Sequence, residues 1–155
     1  MAAAGIYDIA ISQGEHLVES TTARSRLSPT ELTLSFPAEC ESPGRARRLI
    51  GCELRRWGHA EGLVDDATLV VSELASNAVI HAGSSFTVSA QSRGSLLRIA
   101  VRDTASVLAG ANGNRGLLVR ASHGLAVVQA LATQWGVEGS ADGAGKIVWA
   151  ELRVA

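Results

Sequence analysis

Hydrophobic and polar positions in the first half of the folded sequence predict one strand followed by two helices. Glu31 to Phe36 alternates polar and apolar residues, as a half-buried strand does. Ser42 and Pro43 are typical of a helix cap and a first helical position, and this helix is expected to stop at Gly58. The longest helical pattern runs from Val64 to Ala82 and has a glycine just beyond its end.

The second half predicts a hairpin, a long loop, a helix and two more strands. Ser84 to Gln91 and Leu96 to Arg102 alternate on either side of a Ser-Arg-Gly-Ser turn, which is typical of an antiparallel hairpin. Residues 104–122 show no sustained period, and loops of this length usually have a function. The remaining predicted elements are a helix from His123 to Thr133 and strands at Val137 and from Ile147 to Leu152.

This order of elements predicts an α+β fold, a two-layer sandwich in which helices cover one face of a mixed, mostly antiparallel sheet. A chain of 155 residues leaves room for about one domain. Residues 1–30 carry scattered polar residues and one short apolar patch, so we expect a flexible N-terminal tail before a single domain at residues 31–155.

Composition narrows the classes of function. Hydrophobic residues make up 46% and charged residues 19% of the chain, as in ordinary soluble domains, and no apolar run is long enough to span a bilayer. A net charge of -1 is too small for the basic surface that phosphate-backbone binding needs, so direct nucleic-acid binding is not expected. The two cysteines, Cys40 and Cys52, indicate reduced thiols and a cytoplasmic protein. Lys146 is the only lysine and does not stand in a Walker P-loop, which excludes that phosphate-binding motif.

Three polar residues repeat every four positions on the predicted helix from Val64 to Ala82: Glu73, Asn77 and His81. Because each residue advances about 100° around a helix, they are expected on one face, beside apolar positions. Burying them unpaired would cost several kcal/mol, which leaves two interpretations open, a structural hydrogen-bond network or a bound cation. In the second, the Asn77 oxygen ligates Mg2+ and Glu73 accepts a proton from an attacking nucleophile.

Two further features stand at the ends of the predicted loop. Asp103 leaves an apolar strand, where an aspartate often caps a turn, but its carboxylate could also accept a hydrogen bond from an exocyclic amine. Ser122-His-Gly-Leu125 opens a helix, and free N–H groups at a helix start attract phosphate, which Gly124 would admit closely. We interpret His123 as a capping or surface residue rather than a catalyst.

The segment Leu69-Val-Val-Ser-Glu-Leu-Ala-Ser-Asn-Ala-Val-Ile-His-Ala82 resembles the N box of the GHKL ATPases, a superfamily of gyrases, heat-shock chaperones, histidine kinases and mismatch-repair proteins. Within it, the sequence looks most like the small bacterial anti-sigma-factor serine kinases and the many histidine-kinase-like regulators related to them. The resemblance covers about residues 31–153 and includes Leu97–Asp103, Ser122–Leu125, Trp135–Val137 and Gly145–Leu152. It implies the Bergerat-type ATP-binding fold, with ATP and Mg2+ as cofactors.

The same resemblance implies roles for individual residues and partners. Asn77 would bind Mg2+, Glu73 would be the general base, and Asp103 would bind the adenine amine. The phosphates would lie against the residues that open the last helix, under a lid at residues 104–122: Ser122, His123, Gly124 and Leu125. The implied activity is phosphorylation of a small anti-sigma-factor antagonist protein on serine or threonine, with a sigma factor as a further partner and a homodimer as a compatible assembly.

Two departures from the family pattern support a second hypothesis. Asp103-Thr-Ala-Ser-Val107 lacks both glycines of the usual Asp-x-Gly-x-Gly, and Ser122-His123-Gly124 stands where Gly-x-Gly is usual. Side chains in place of glycine restrict positive φ and crowd a nucleotide. The alternative function is therefore a non-catalytic partner-binding module of the same fold with weak or no use of ATP. The retained Glu73 favours the kinase, since binding alone needs no base.

Overall fold

The computed structural model describes residues 30–104 and 124–155. The predicted tail up to residue 29 and all of the predicted loop beyond Thr104 lie outside these ranges. Within them the elements are, in chain order, β1 (Thr30–Phe36), α1 (Ser42–Arg56), α2 (Glu61–Asn77), a π-helical turn (Ala78–Ala82), β2 (Phe86–Arg93), β3 (Leu96–Asp103), α3 (Gly124–Leu131), β4 (Gln134–Gly139) and β5 (Lys146–Arg153).

The described strands form one five-stranded sheet in the order β1-β2-β3-β5-β4. Each neighbouring pair in it is antiparallel. The predicted α+β sandwich is therefore confirmed, and the sheet is more uniformly antiparallel across the described strands than the sequence predicts. Strands β4 and β5 are each longer than their predicted counterparts at Val137 and Ile147 to Leu152.

One face of the sheet is apolar and packs against the helices. The buried positions of its four longer strands follow the two-residue period of the sequence, since alternate side chains of a strand point to opposite faces. They are Leu32, Leu34 and Phe36 on β1, Phe86, Val88 and Ala90 on β2, Leu97, Ile99 and Val101 on β3, and Val148, Ala150 and Leu152 on β5. Helix α2 lies across this face and also packs against α1 and α3.

Helices α1 and α2 approach each other closely because a glycine stands at their contact. Helix α1 buries Ala46, Ile50 and Leu54, one helical turn apart, with Gly51 beside them. A Cβ on Gly51 would lie 3.0 Å from Cγ2 of Thr68 on α2, which is tighter than ordinary van der Waals contact. The absence of a side chain at position 51 therefore sets the spacing between the two helices.

The start of α1 differs from the prediction that Ser42 caps it. The residue that precedes the helix is Glu41, with φ −83° and ψ −18°, and its side chain makes no capping hydrogen bond. Because the backbone is already helical at Glu41, Ser42 is the first residue of the helix and lacks the extended conformation from which a cap reaches the free N–H groups. Its side chain is completely buried, and its Oγ has no hydrogen-bond partner in the described ranges.

The long helical pattern from Val64 to Ala82 divides into two kinds of helix. The α-helix begins three residues earlier than predicted, at Glu61, and ends at Asn77, after which a π-helical turn runs to Ala82. Gly83 follows with φ +58° and ends the element, as its position in the sequence predicts. Within residues 30–104 and 124–155, no helix is both long and apolar enough to cross a membrane.

Helix α3 ends at Leu131, two residues before the end of the predicted helix from His123 to Thr133. The backbone N–H and the hydroxyl of Thr133 both donate to the carbonyl oxygen of Glu151 on β5, at 2.8 and 2.9 Å. These bonds direct the chain into β4 directly after the helix.

Candidate functional site

Glu73 and Asn77 stand one turn apart on α2, and Asn77 is its last residue. Both side chains are half-buried, whereas the neighbouring Val70, Leu74 and Ala78 are buried in the core. A carboxylate and a carboxamide therefore share the margin of an apolar surface, as the sequence predicts. Helix α2 packs against β3 and β5, and the π-helical turn after it packs against β3.

His81 does not continue this arrangement. It lies in the π-helical turn and is exposed, while Glu73 and Asn77 are half-buried. The spacing of four residues that places three side chains on one stripe holds only for regular α-helix, and the π-helical turn changes the spacing after Asn77. π-Helical turns occur often at functional sites, and this one lies inside the segment that carries the N-box resemblance.

Asp103 is the last residue of β3 and is only 4% exposed. Its neighbours Val101 and Ile99 at two-residue spacing are core residues, so its carboxylate points to the same side of the sheet as they do. Its cross-strand partner in the register is Lys146, the first residue of β5, and Nζ of Lys146 lies 3.4 Å from Oδ2 of Asp103. The Lys146 side chain is 14% exposed, so two opposite charges are held together at this end of the sheet.

The turn before Lys146 fixes the position of this pair. A Cβ on Gly145 would collide with the backbone carbonyl of Asp103, so only glycine fits where the two strands meet. In the same turn, the carboxylate of Asp142 accepts a hydrogen bond from the backbone N–H of Ala144 at 3.0 Å and also bonds Arg102 on β3. The bond from Ala144, together with side-chain hydrogen bonds from Ser140 and Arg102, lowers the pKa of Asp142 to about 2.

A cavity of about 170 Å3 opens at the same end of the sheet, and Asp103 is one of the residues that line it. Ser35, Thr87 and Arg102 also line it and lie side by side in the register, at positions that alternate with the buried core residues. The cavity therefore adjoins Asp103, the residue predicted to bind the adenine amine.

The structure describes only part of the predicted phosphate-binding segment. Ser122 and His123 lie outside the described residues. Gly124 is the first described residue of α3, which the sequence predicts to begin at His123, and Leu125 is 2% exposed with its side chain in the core. Leu125 can therefore contribute only backbone groups to a ligand. In residues 30–104 and 124–155, no group of three or more His, Cys, Asp and Glu residues is placed to hold a metal ion.

Lys146 is the residue of this region that sequence reasoning missed. The sequence identifies it only as the single lysine of the chain. Its position becomes informative once the register of β3 with β5 is known, because that register places it opposite Asp103. The sequence signal for this position is a pairing between the two predicted strands Leu96 to Arg102 and Ile147 to Leu152. That pairing would place Lys146 beside Asp103.

Comparison with known proteins places the chain in a family. Residues 36–152 match the model of the histidine kinase-like ATPase domain, and the chain therefore belongs to this family. This assignment confirms the predicted ATPase fold and supports nucleotide binding by the described domain. No curated protein matches the chain significantly.

A solved structure shows the same fold. The crystal structure of the RsbU and RsbW domains of Rv1364c from Mycobacterium tuberculosis matches with a TM-score of 0.60 and 18% sequence identity. The match covers 81% of this chain but only 32% of the other, so this chain spans about a third of the length of that protein. At this identity the likeness concerns the fold.

Proposed function

We propose that this protein is an ATP-binding regulator that acts as a protein serine/threonine kinase on a small antagonist protein of an anti-sigma factor. The observation that carries the proposal is the half-buried pair Glu73 and Asn77 at the end of α2, beside the strand that ends at the buried Asp103. The family assignment supports ATP as the ligand, and the resemblance of the N box to anti-sigma-factor kinases supports the substrate class.

The donor set at this end of the sheet fits Mg-ATP. The carboxamide oxygen of Asn77 is a hard ligand suited to Mg2+, which keeps its other positions for water and phosphate. The buried carboxylate of Asp103 can accept a hydrogen bond from an exocyclic amine. The backbone N–H groups at Gly124 and Leu125 open α3 and suit phosphate oxygens, as proposed for the preceding Ser122 and His123.

In this mechanism each residue has a separate task. Bound Mg-ATP would supply the phosphoryl group that is transferred. The Glu73 carboxylate takes the proton of the attacking serine or threonine hydroxyl, which raises the nucleophilicity of its oxygen. Asn77 holds the cation and Asp103 orients the adenine ring, so the loss of either side chain weakens the binding of Mg-ATP. The loss of the Glu73 carboxylate instead slows the phosphoryl-transfer step.

The partners follow from the same proposal. The substrate is a small antagonist protein, a sigma factor is a further partner, and two copies of the chain form a homodimer. The solved structure with the same fold contains an RsbU and an RsbW domain in one protein, which supports a place in such a regulatory system. We also place the protein in the cytoplasm.

A second candidate function is a partner-binding module that uses ATP weakly or not at all. The observation that favours this function is the absence of the two glycines that usually follow the aspartate in the family. In this chain Thr104 stands directly after Asp103 and begins the segment that lacks them. Thr104 is exposed, and its backbone N–H donates to Ser84 Oγ at 3.4 Å, a long bond.

Three measurements test the proposal. Calorimetric titration with Mg-ATP should show binding, and saturating Mg-ATP should raise the melting temperature, since a ligand at a hundred-fold excess over Kd stabilises the native state by roughly 2.7 kcal/mol. Labelled phosphate should then pass from ATP to an antagonist protein identified by pull-down. Absence of binding at millimolar Mg-ATP, or binding without transfer to a partner that is demonstrably bound, would establish the partner-binding module instead.

A further inference from the structure

The ion pair between Lys146 and Asp103 is unusual for its position. Lysine at the end of a strand normally extends its ammonium into water. Here the side chain is only 14% exposed and lies beside a carboxylate that is 4% exposed. The free energy needed to remove two charges from water can be as large as the free energy gained from their attraction. A buried ion pair is therefore weak evidence of a stabilising role. This location therefore suggests a role in binding.

The geometry of the pair leaves donor capacity on the ammonium. The Nζ to Oδ2 distance of 3.4 Å is longer than the 2.7–2.9 Å typical of charge-assisted hydrogen bonds. A lysine ammonium has three donors, and a single contact to Asp103 uses one of them. The close fit of Gly145 against the Asp103 carbonyl fixes the start of β5 relative to β3 and so holds the acceptor and the donor side by side.

Adenine presents a matching edge. Its exocyclic amine donates hydrogen bonds, and the ring nitrogen N1, which is bonded to the same carbon, accepts them. A carboxylate next to an ammonium offers one acceptor and one donor, the complementary pattern. A 6-oxopurine presents the reverse pattern and would meet two mismatches.

We propose that Lys146 is a specificity-determining residue of the base site, where it donates to N1 of adenine while Asp103 accepts from the amine. This inference rests on the proposed function, since it requires adenine nucleotide at this end of the sheet. It assigns a direct ligand contact to a residue that would otherwise serve only to neutralise Asp103.

The test combines a side-chain change with an atom change in the ligand. Calorimetric titration compares ATP, 1-deaza-ATP, in which N1 is a C–H group, and 7-deaza-ATP as the matched control ligand. Wild-type protein should bind 1-deaza-ATP about ten-fold or more weakly than ATP, because a hydrogen bond from a charged group is lost. Lys146→Met should bind ATP and 1-deaza-ATP equally. Arg153→Met, which removes an exposed charge from the same strand, should keep the wild-type ratio.

Each result decides between the alternatives. If Lys146→Met still discriminates against 1-deaza-ATP, or if only 7-deaza-ATP loses affinity, the N1 contact is wrong although the proposed function stands. If Lys146→Met lowers the affinities for ATP and for 1-deaza-ATP by the same factor, so that their ratio stays at the wild-type value, Lys146 only positions Asp103. If wild-type protein binds none of the three nucleotides, this inference and ATP binding both fail.

Discussion

The indole ring of Trp149 lies over Gly136, its cross-strand partner on β4, where a Cβ would come within 2.9 Å of Cζ2 of the indole. The guanidinium carbon of Arg98 lies 4.1 Å from the centroid of the same ring. Arg98 also pairs with Glu151 at 3.1 Å and with Glu138 at 3.4 Å. The tryptophan thus contacts both a glycine and a cation on the face of the sheet that the helices do not cover.

Gly136→Ala should destabilise the protein by about 1–3 kcal/mol, because the added methyl group displaces an aromatic ring that is held in place. Chemical denaturation measures this change. Gly62→Ala is the matched control, since Gly62 lies in the first turn of α2 with nothing within 4 Å of its Cβ position. That substitution should be neutral or stabilising by up to about 1 kcal/mol. An equal effect of both changes would contradict the role of the contact with Trp149.

Asp103→Ala should destabilise the protein without ligand, by roughly 3 kcal/mol, because it leaves the largely buried ammonium of Lys146 without its carboxylate. The double variant Asp103→Leu with Lys146→Met should recover most of this stability, since an apolar pair of similar volume often replaces a buried ion pair at little cost. Urea unfolding of the three proteins measures it. A double variant that is no more stable than Asp103→Ala would show that the carboxylate stabilises the fold by other contacts.

Asn77→Ala should remove most of the Mg2+-dependent increase in melting temperature that ATP produces, because the proposed protein ligand of the cation is lost. The increase is measured with ATP in Mg2+ and in EDTA. Ser76→Ala, a change at the neighbouring half-buried position of α2, is the control and should keep the difference. Equal Mg2+ dependence in wild type and Asn77→Ala would rule out the metal assignment.

Glu73→Gln should retain binding of Mg-ATP and of the protein partner but lose phosphate transfer by roughly 10²- to 10⁴-fold, the range of a positioned base. The substitution keeps the size of the side chain and removes its basic oxygen. Single-turnover transfer of labelled phosphate measures the step directly. Transfer at the wild-type rate would make Glu73 a structural residue.

His59 should make the stability depend on pH. Its Nε2 is buried without a hydrogen-bond partner in the described ranges, and burial lowers the pKa of the ring from 6.5. As the pH falls through about 6.5, the unfolded chain takes up a proton that the folded protein resists, so the free energy of unfolding decreases. Denaturation at pH 7.5 and 5.5 should show a larger loss for wild type than for His59→Gln. His81→Gln, which changes an exposed imidazole, is the control.

The sequence predicted the architecture well because most strands have one buried face. The alternation of Leu97, Ile99 and Val101 with polar or small residues determines which side of β3 faces the helices, and the same pattern recurs on β1, β2 and β5. The sequence also predicted that Glu73 and Asn77 lie one turn apart on a helix, because the helical pattern that precedes them is regular.

Other features depend on information that hydrophobic periodicity does not contain. The π-helical turn keeps helix-forming residues and a plausible apolar pattern, so nothing local distinguishes it from the end of α2. The cap of α1 depends on the backbone angles of Glu41 and not on the hydroxyl of Ser42. The pairing of Lys146 with Asp103 depends on the register of two strands that are distant in the sequence.

Strand β5 pairs with β3 although Asp103 and Lys146 are 43 positions apart in the sequence, whereas only two residues, Gly94 and Ser95, join β2 to β3. Contacts between distant segments form only after a large loss of loop-closure entropy, and contacts between neighbouring segments need a much smaller loss. We therefore expect the β2–β3 hairpin to form early in folding and the pairing of β5 with β3 to form late. The ion pair between Lys146 and Asp103 is then one of the last parts of the fold to be completed.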